Sequence, residues 1–318
     1  MKVLVTGANG FIGSHLCERL AGDGYAVRAM VRRTSNRQWL AGLPLELCFA
    51  DLEDEGSLRA AVEGVEVVFH SAAVVRTKQG RDFLRVNYEG TRRLAEAGVR
   101  AGVRRMVLFS SLAAVGPMPR GAVVSGEREP EPVSDYGRAK LAAERALMEL
   151  KEKMEVVILR FPAVYGPRDR DGLLLWRMFQ QGFVPVLGGT FSLVYVRDAV
   201  KAAVLAGTKP VVSGACYSIT DGGCYSYPML AQVWQEVTGR RVVCLRVPKF
   251  FVSLAARANN WLAREGTIFN PDKVRELCQE NWVCFDERVG KELGFSPDYD
   301  LKQGVKETLN WYREKGWL

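Results

Sequence analysis

The 318-residue sequence predicts an α/β fold: a doubly wound parallel sheet, with a smaller, mostly helical lobe built by the C-terminal part of the chain. Three observations predict it. Strand-like apolar runs alternate with helical spacing as far as Arg160, the pattern of helices wrapping both faces of a parallel sheet. The first such run enters a glycine turn that opens directly into a helix. The chain is also long enough to bury one large core and a satellite.

Val3 to Val5 form the first strand, followed by a turn carrying Gly7, Gly10 and Gly13. Phe11, Ile12, His15, Leu16 and Leu20 then recur at amphipathic helical spacing. A strand, a glycine turn and a helix in this order are how Rossmann-type proteins hold a dinucleotide pyrophosphate. The glycines let backbone N–H groups come close to the phosphates, and the helix aims its positive end at them. The spacing is G-x-x-G-x-x-G, one residue wider than the usual G-x-G-x-x-G. Residues 26–31 read as the second strand and 45–50 as the third, closed by Asp51-Leu52. Helical spacing through Leu58, Ala61 and Val62 precedes the fourth strand, 66–70. One long helix is expected over 82–101, with Phe83, Val86, Leu94 and Ala97 inward. Residues 105–110 make the fifth strand, 134–153 a helix and 156–160 the sixth strand.

The end of the second strand selects the cofactor. A carboxylate there bonds the adenosine ribose and repels a 2′-phosphate; an arginine does the reverse. Here the strand runs into Val31-Arg32-Arg33-Thr34-Ser35. Two arginines and two hydroxyls suit a phosphomonoester. NADP is therefore the expected cofactor, with NAD the alternative. Asp51 sits where a carboxylate reaches the adenine amino group, or else caps the next helix.

Ser110 and Ser111 place two hydroxyls at the carboxyl end of the fifth strand, the rim where open α/β sheets bind ligands. Tyr136 and Lys140 follow, four apart on a predicted helix and so on one face. A phenol titrates near ~10, and reaching about 7 takes roughly 4 kcal/mol of preference for phenolate. An ammonium at ~4 Å supplies about that much at an effective dielectric of ~20. Tyr136 would then exchange a proton with a carbonyl or alcohol, and Ser111 would hydrogen-bond the same oxygen.

At this point the chain resembles an extended short-chain dehydrogenase/reductase of the NAD-dependent epimerase/dehydratase family, in its dihydroflavonol-reductase-like and 3β-hydroxysteroid-dehydrogenase-like branch. The resemblance rests on Thr6-Gly7-x-x-Gly10-x-x-Gly13, Asp51-Leu52, His70-Ser71-Ala72-Ala73, Asn87 to Thr91, Ser110-Ser111, Tyr136-x-x-x-Lys140, Arg160 to Pro167 and Tyr195-Val196-x-Asp198. It implies that Ser111, Tyr136 and Lys140 are catalytic. It also implies that Gly7, Asn9, Gly10, Phe11, Ile12, Gly13, Asp51, Leu52, Ala72 and Ala73 line the cofactor, together with Tyr136 and Lys140. His70 and Asn87 are more often structural in the family. Two chemistries occur there: transient oxidation of a nucleotide sugar by epimerases and dehydratases with held NAD, and net hydride exchange with a ketone or secondary alcohol. Val27 to Arg32, Ala163 in place of an asparagine, and Phe191 to Val196 without Arg-Asp tilt the reading to the second. A homodimer is implied as well.

By the same pattern residues 1–166 form the dinucleotide-binding domain, with 191–220 returning to it. Residues 167–190 and 221–318 form the substrate lobe. There Phe250, Phe251, Leu254, Ala255, Ala258, Trp261 and Leu262 recur at helical spacing. Core packing is the favoured reading of this stripe, and a lid or membrane-surface contact the alternative. Trp282, Trp311, Tyr312 and Trp317 read as packing of the last helices. Flavonoid, steroid, fatty ketone and sugar all remain open as the small-molecule substrate.

Composition excludes several classes. It is ordinary for a globular protein, 48% hydrophobic and 25% charged. The net charge of +8 comes from scattered Arg and Lys, so no nucleic-acid partner is expected. No apolar run nears the ~20 residues of a membrane span, and with a core strand at the start the expected location is cytoplasmic. Seven cysteines without C-x-x-C and only two histidines predict buried free thiols and no metal site.

Overall fold

The computed structural model describes residues 1–77, 79–119, 129–262 and 269–318, and for Leu262 its backbone only. The chain begins with β1 (Lys2–Thr6), α1 (Phe11–Gly22) and β2 (Ala26–Val31). β3 (Leu45–Phe49), α2 (Glu55–Val62) and β4 (Val67–His70) follow. A π-helical stretch, Phe83–Gly90, then runs into α3 (Thr91–Arg100). β5 (Arg105–Ser111), a 3₁₀ turn at Leu112–Ala114, α4 (Asp135–Met148) and β6 (Glu155–Phe161) complete the alternation. Next come β7 (Ala163–Tyr165), α5 (Leu173–Gln180), β8 (Phe183–Val186), β9 (Thr190–Phe191), β10 (Leu193–Tyr195), α6 (Val196–Thr208) and β11 (Ala215–Ser218). The remainder is α7 (Tyr227–Thr238), β12 (Val243–Arg246), α8 (Lys249–Leu262), α9 (Pro271–Leu277), β13 (Asn281–Trp282), α10 (Arg288–Leu293) and α11 (Leu301–Glu314).

Seven strands form one parallel sheet in the order β11-β6-β5-β4-β1-β2-β3. Val3, Leu4 and Val5 are wholly buried, as a central parallel strand covered on both faces must be. The strand order reverses between β1 and β4, and such a switch point is where doubly wound sheets bind ligands. Register brings Thr6 beside His70, and Ser111 beside Phe161, on that edge. On one face, α1 and α6 cover the sheet through Leu16, Leu20, Ala199 and Ala203. On the other, α2, α3 and α4 bury Leu58, Leu94 and Leu147.

The expected single helix over 82–101 starts instead as a π-helix. Hydrophobic spacing does not separate the two, because a π turn only shifts side-chain register. Within this stretch the buried Asn87 side chain clamps the loop after β4. It accepts from Val74 N–H at 2.7 Å and donates to the Val74 carbonyl at 2.9 Å. The helix expected over 134–153 stops at Met148.

The C-terminal chain packs around Trp176, Phe179, Trp234 and Tyr312, with Trp311 and Trp317 against them. Trp282 lies elsewhere, in β13, against Leu112, Val115 and Cys284. Val289, Leu293 and Phe295 join the core under the large sheet, and β11 pairs with β6 at its edge. Only Cys17, Cys278 and Cys284 are buried thiols; Cys224 is exposed, because its loop lies at the surface. The α8 stripe also departs from expectation. Val252 and Ala256 are buried, whereas Phe250, Phe251, Leu254 and Trp261 face outward. No helix among the described residues is long and apolar enough to cross a membrane.

Candidate active site

Two glycines of the turn are sterically required. Gly7 has φ of +65°, and a Cβ there would lie 2.8 Å from the Ala72 backbone. A Cβ on Gly13 would lie 2.2 Å from the Gly7 carbonyl oxygen, so only glycine lets α1 start this close to β1. The Gly10 N–H donates to the Gly7 carbonyl at 2.9 Å and closes the turn. Gly10 caps α1 without a side-chain bond, and the first turn holds no acid. The leading N–H groups, those of Phe11 and Ile12, thus point out of an uncapped positive helix end. Asn9, Phe11 and Ile12 are half-buried around it. Such a cradle fits a dinucleotide pyrophosphate.

Below the turn runs a buried polar chain. The Ala72 N–H donates to Thr6 Oγ1 at 3.2 Å, and Thr6 Oγ1 meets His70 Nδ1 at 2.7 Å. Beyond it, His70 Nε2 meets Thr91 Oγ1 at 2.8 Å, and the Thr91 hydroxyl donates to the Asn87 carbonyl at 2.6 Å. Because the Thr91 proton is committed, Nε2 carries the imidazole hydrogen and Nδ1 accepts from Thr6. Burial, and then the charge of Lys140, lower the His70 pKa to about 3. The ring is therefore a neutral strut between β1, β4 and α3.

At the end of β2, Arg32 and Arg33 are exposed, and the Arg33 guanidinium lies 5.4 Å above the Phe49 ring. Asp51 is half-buried and accepts the Glu53 N–H at 3.0 Å. The cap of α2 is Asp54, which accepts from Gly56 and Ser57, so capping does not account for Asp51. Leu52 is buried against Gly90, which leaves its backbone to meet a ligand; Ala72 and Ala73 are half-buried beside the turn.

Ser111 ends β5 and Tyr136 lies in the first turn of α4. Ser111 lies close enough to the Tyr136 hydroxyl to lower its pKa, and Phe83 packs edge-on to the Tyr136 ring at 5.9 Å. Lys140, one turn along, is 5% exposed and donates to the Phe109 carbonyl at 2.5 Å. Burial lowers its pKa to about 8 against the opposing pull of Glu144. Glu144 is itself buried, forked on Arg160 at 2.6 and 3.0 Å, and accepts from Ser110. The structure thus brings Ser111, Tyr136 and Lys140 to one rim beside the glycine cradle.

One expectation is reversed. The phenol is not pulled toward 7 but pushed above its ordinary value, by burial and then by Glu276, with only Ser111 lowering it. Lys140 bonds the Phe109 carbonyl, while the Glu276 carboxylate of α9, bonded to Ser134, adds a negative charge near the phenol. Tyr136 is consequently a neutral phenol and a proton donor at neutral pH.

Three contributors escaped the sequence reading. A Cβ on Gly137 would lie 2.2 Å from the Ala113 carbonyl oxygen, so glycine after Tyr136 lets α4 touch the turn following Ser111. Its position beside the tyrosine was a readable signal. Asp272 and Glu276 of α9 seat the start of α4. Asp272 accepts from the N–H groups of Asp135 at 2.8 Å and Tyr136 at 3.2 Å. Ser134 donates to Glu276 at 2.5 Å and accepts from Gly137 N–H at 2.9 Å. No local pattern announces a cap delivered from 136 residues away.

A family model described as the NAD dependent epimerase/dehydratase family matches residues 3–219. The chain is 34% identical to Sterol demethylase protein B of Methylococcus capsulatus, covering 100% of both chains. It is 31% identical to Ceramide reductase of Caulobacter vibrioides, over 99% of this chain and 96% of the relative. Among solved structures it resembles MoeE5 in complex with UDP-glucuronic acid and NAD, with TM-score 0.80, 29% identity and coverage of 99% and 100%.

Gly137→Ala is expected to lower stability by about 2 kcal/mol and turnover at least tenfold, by pushing Tyr136 off Ser111. Gly22→Ala, with no atom within 4 Å of the new Cβ, is the control and should stay within about 0.5 kcal/mol. Urea titration and steady-state rates read both. A second expectation concerns pH. A lysine whose folded pKa is lowered destabilises fully below that pKa, and the penalty fades as pH rises to its unfolded value. From pH ~7 to ~10 the parent should therefore gain about 2 kcal/mol relative to Lys140→Met. A constant gap between the two urea curves would refute the buried ammonium.

Proposed function

The chain belongs to the NAD-dependent epimerase/dehydratase family, and from that premise we propose a nicotinamide-dependent oxidoreductase acting on a ketone or secondary alcohol. The observation that carries this reading is the close approach of α4 to the end of β5, which brings Tyr136 beside Ser111 near an uncapped α1 N-terminus. Phe11 and Ile12 would hold the pyrophosphate, and Lys140 would reach the nicotinamide ribose. The bound nicotinamide supplies or accepts hydride. Tyr136 gives its proton to the substrate oxygen in reduction and takes it back in oxidation. Ser111 donates to the same oxygen and favours the charge developing there. His70, already bonded on both nitrogens, takes no part.

NADP is the favoured cofactor, because Arg32 and Arg33 stand where a 2′-phosphate would lie and no acid opposes them. The substrate proposed is apolar and uncharged. Among the described residues, the cations of α9 beside the start of α4 are already matched: Lys273 by Glu276 at 2.7 Å and Arg275 by Asp272 at 3.2 Å. A diphosphate held by these two would have to displace a carboxylate. Two relatives are also named for sterol and ceramide chemistry. The proposal divides the chain into 1–166 with 191–220 for the cofactor and the remainder for the substrate, and includes a homodimer. A second reading, an epimerase or dehydratase with tightly held NAD, draws on the likeness to the UDP-glucuronic acid and NAD complex.

Tyr136→Phe should cut ketone-dependent NADPH oxidation at least a hundredfold while leaving thermal unfolding unchanged. Full turnover in that variant would remove the catalytic assignment. Exchanging Arg32 and Arg33 for alanine should raise the KM for NADPH about tenfold and leave that for NADH alone. Purified protein carrying bound NAD, with no thermal shift on adding NADP, would support the second reading instead.

A further inference from the structure

Helix α8 has two unlike faces. Val252 and Ala256 are 4% and 0% exposed and pack against Val274 of α9 and Cys278 just past its end. On the opposite ridge, Phe250, Leu254, Arg257 and Trp261 follow each other at i, i+4, i+7 and i+11. Phe250 is 71% exposed, Leu254 54% and Trp261 81%, and Phe251 beside them is 59% exposed. Aromatic side chains of this size are seldom left in water without use. The helix is led in by β12, whose Val243 and Leu245 are exposed on one strand face. From Gly239 to Leu262 the chain carries Arg240, Arg241, Arg246, Lys249 and Arg257, and no acid.

From this juxtaposition we propose that the outward face of α8 docks on an anionic phospholipid bilayer, with the helix lying in the plane of the headgroups. Its 14 residues extend about 21 Å, too short to span hydrocarbon and suited to lying flat. Phe250, Leu254 and Trp261 enter the acyl boundary, and Trp favours that depth. The cations meet the negative surface. Charge decides the occupant. A second copy seated on the same face by two-fold symmetry would set Arg257 against its own counterpart, with no acid between Gly239 and Leu262 to answer it. A lipid surface of opposite sign complements them.

The test needs only the purified full chain, and it reads binding rather than turnover. Its failure would leave the hydride-transfer reading standing, and failure of that reading would leave this one standing. Flotation with vesicles of equal phosphatidylcholine and phosphatidylglycerol should recover the protein, with about tenfold less on phosphatidylcholine alone. High salt should weaken the binding. Phe250→Ser with Trp261→Ser should lower it about tenfold, and Arg257→Glu should lower it too. Both variants should unfold at the parent's temperature, since the changed side chains are exposed. The proposal is overturned by any of three results. These are no binding to either vesicle, equal binding by the double variant, or a doubled mass in light scattering that the double variant halves.

Discussion

The site depends on how closely α4 approaches the end of β5. Gly137 lies against the Ala113 carbonyl, at a separation that leaves no room for a methyl group. Around that contact three bonds tie the helix to the sheet: Lys140 to the Phe109 carbonyl, Glu144 to Ser110, and Glu144 to Arg160. Each joins one turn of α4 to the β5 or β6 backbone layer. All three use buried charges, which are worth their desolvation only when geometry is good and every partner is present. The consequence is that Tyr136 cannot drift relative to Ser111. A loose helix would leave both hydroxyls on the rim without bringing them to one substrate oxygen.

Two helix N-termini flank this contact and are treated oppositely. At α1 the leading N–H groups carry no side-chain cap and face no acid. At α4 the first three are taken, two by Asp272 and one by Ser134. Both ends have the same macrodipole. One is left for an anionic ligand and the other is neutralised by the protein's own carboxylate, which keeps anions away from the tyrosine. Burial first, and then Glu276, set the direction of the phenol's shift, and Lys140 is turned to a carbonyl. Tyr136 therefore keeps its proton at neutral pH.

Most of the large sheet was legible because each strand is a short apolar run between helical repeats, and parallel strands must be buried on both faces. The glycine turn was legible for a local reason, since Gly7 and Gly13 answer to clashes within a few residues. The placing of Tyr136 and Lys140 on one helix face was legible from their spacing, whereas the part given to Ser111 rested on its place at the end of β5 and on the family resemblance. What was not legible depends on distant chain. Asp272 and Glu276 act on α4 from far along the chain, and burial, with Glu276 second, reversed the expectation drawn from Tyr136 and Lys140. The π-helical start of the helix carrying Asn87 has no periodic signature, although the Asn87 side chain itself fits the structural reading. The α8 stripe gave the right residues and the wrong side, because hydrophobic spacing reports amphipathicity and not what covers it.

That outward side is joined to the catalytic helix through very little chain. Val252 and Ala256 of α8 pack on Val274 of α9 and on Cys278 just past its end. Two residues of α9, Asp272 and Glu276, hold the N-terminus of α4, and Glu276 also raises the phenol's pKa. A buried apolar seam transmits displacement because close-packed side chains leave no slack to absorb it. A helix seated on lipid would therefore fix α9, and α9 fixes the turn that presents Tyr136. On the two proposals taken together, the apolar face of α8 would hold this part of the chain to a membrane source of substrate, and the carboxylates of α9 would seat the helix that carries Tyr136.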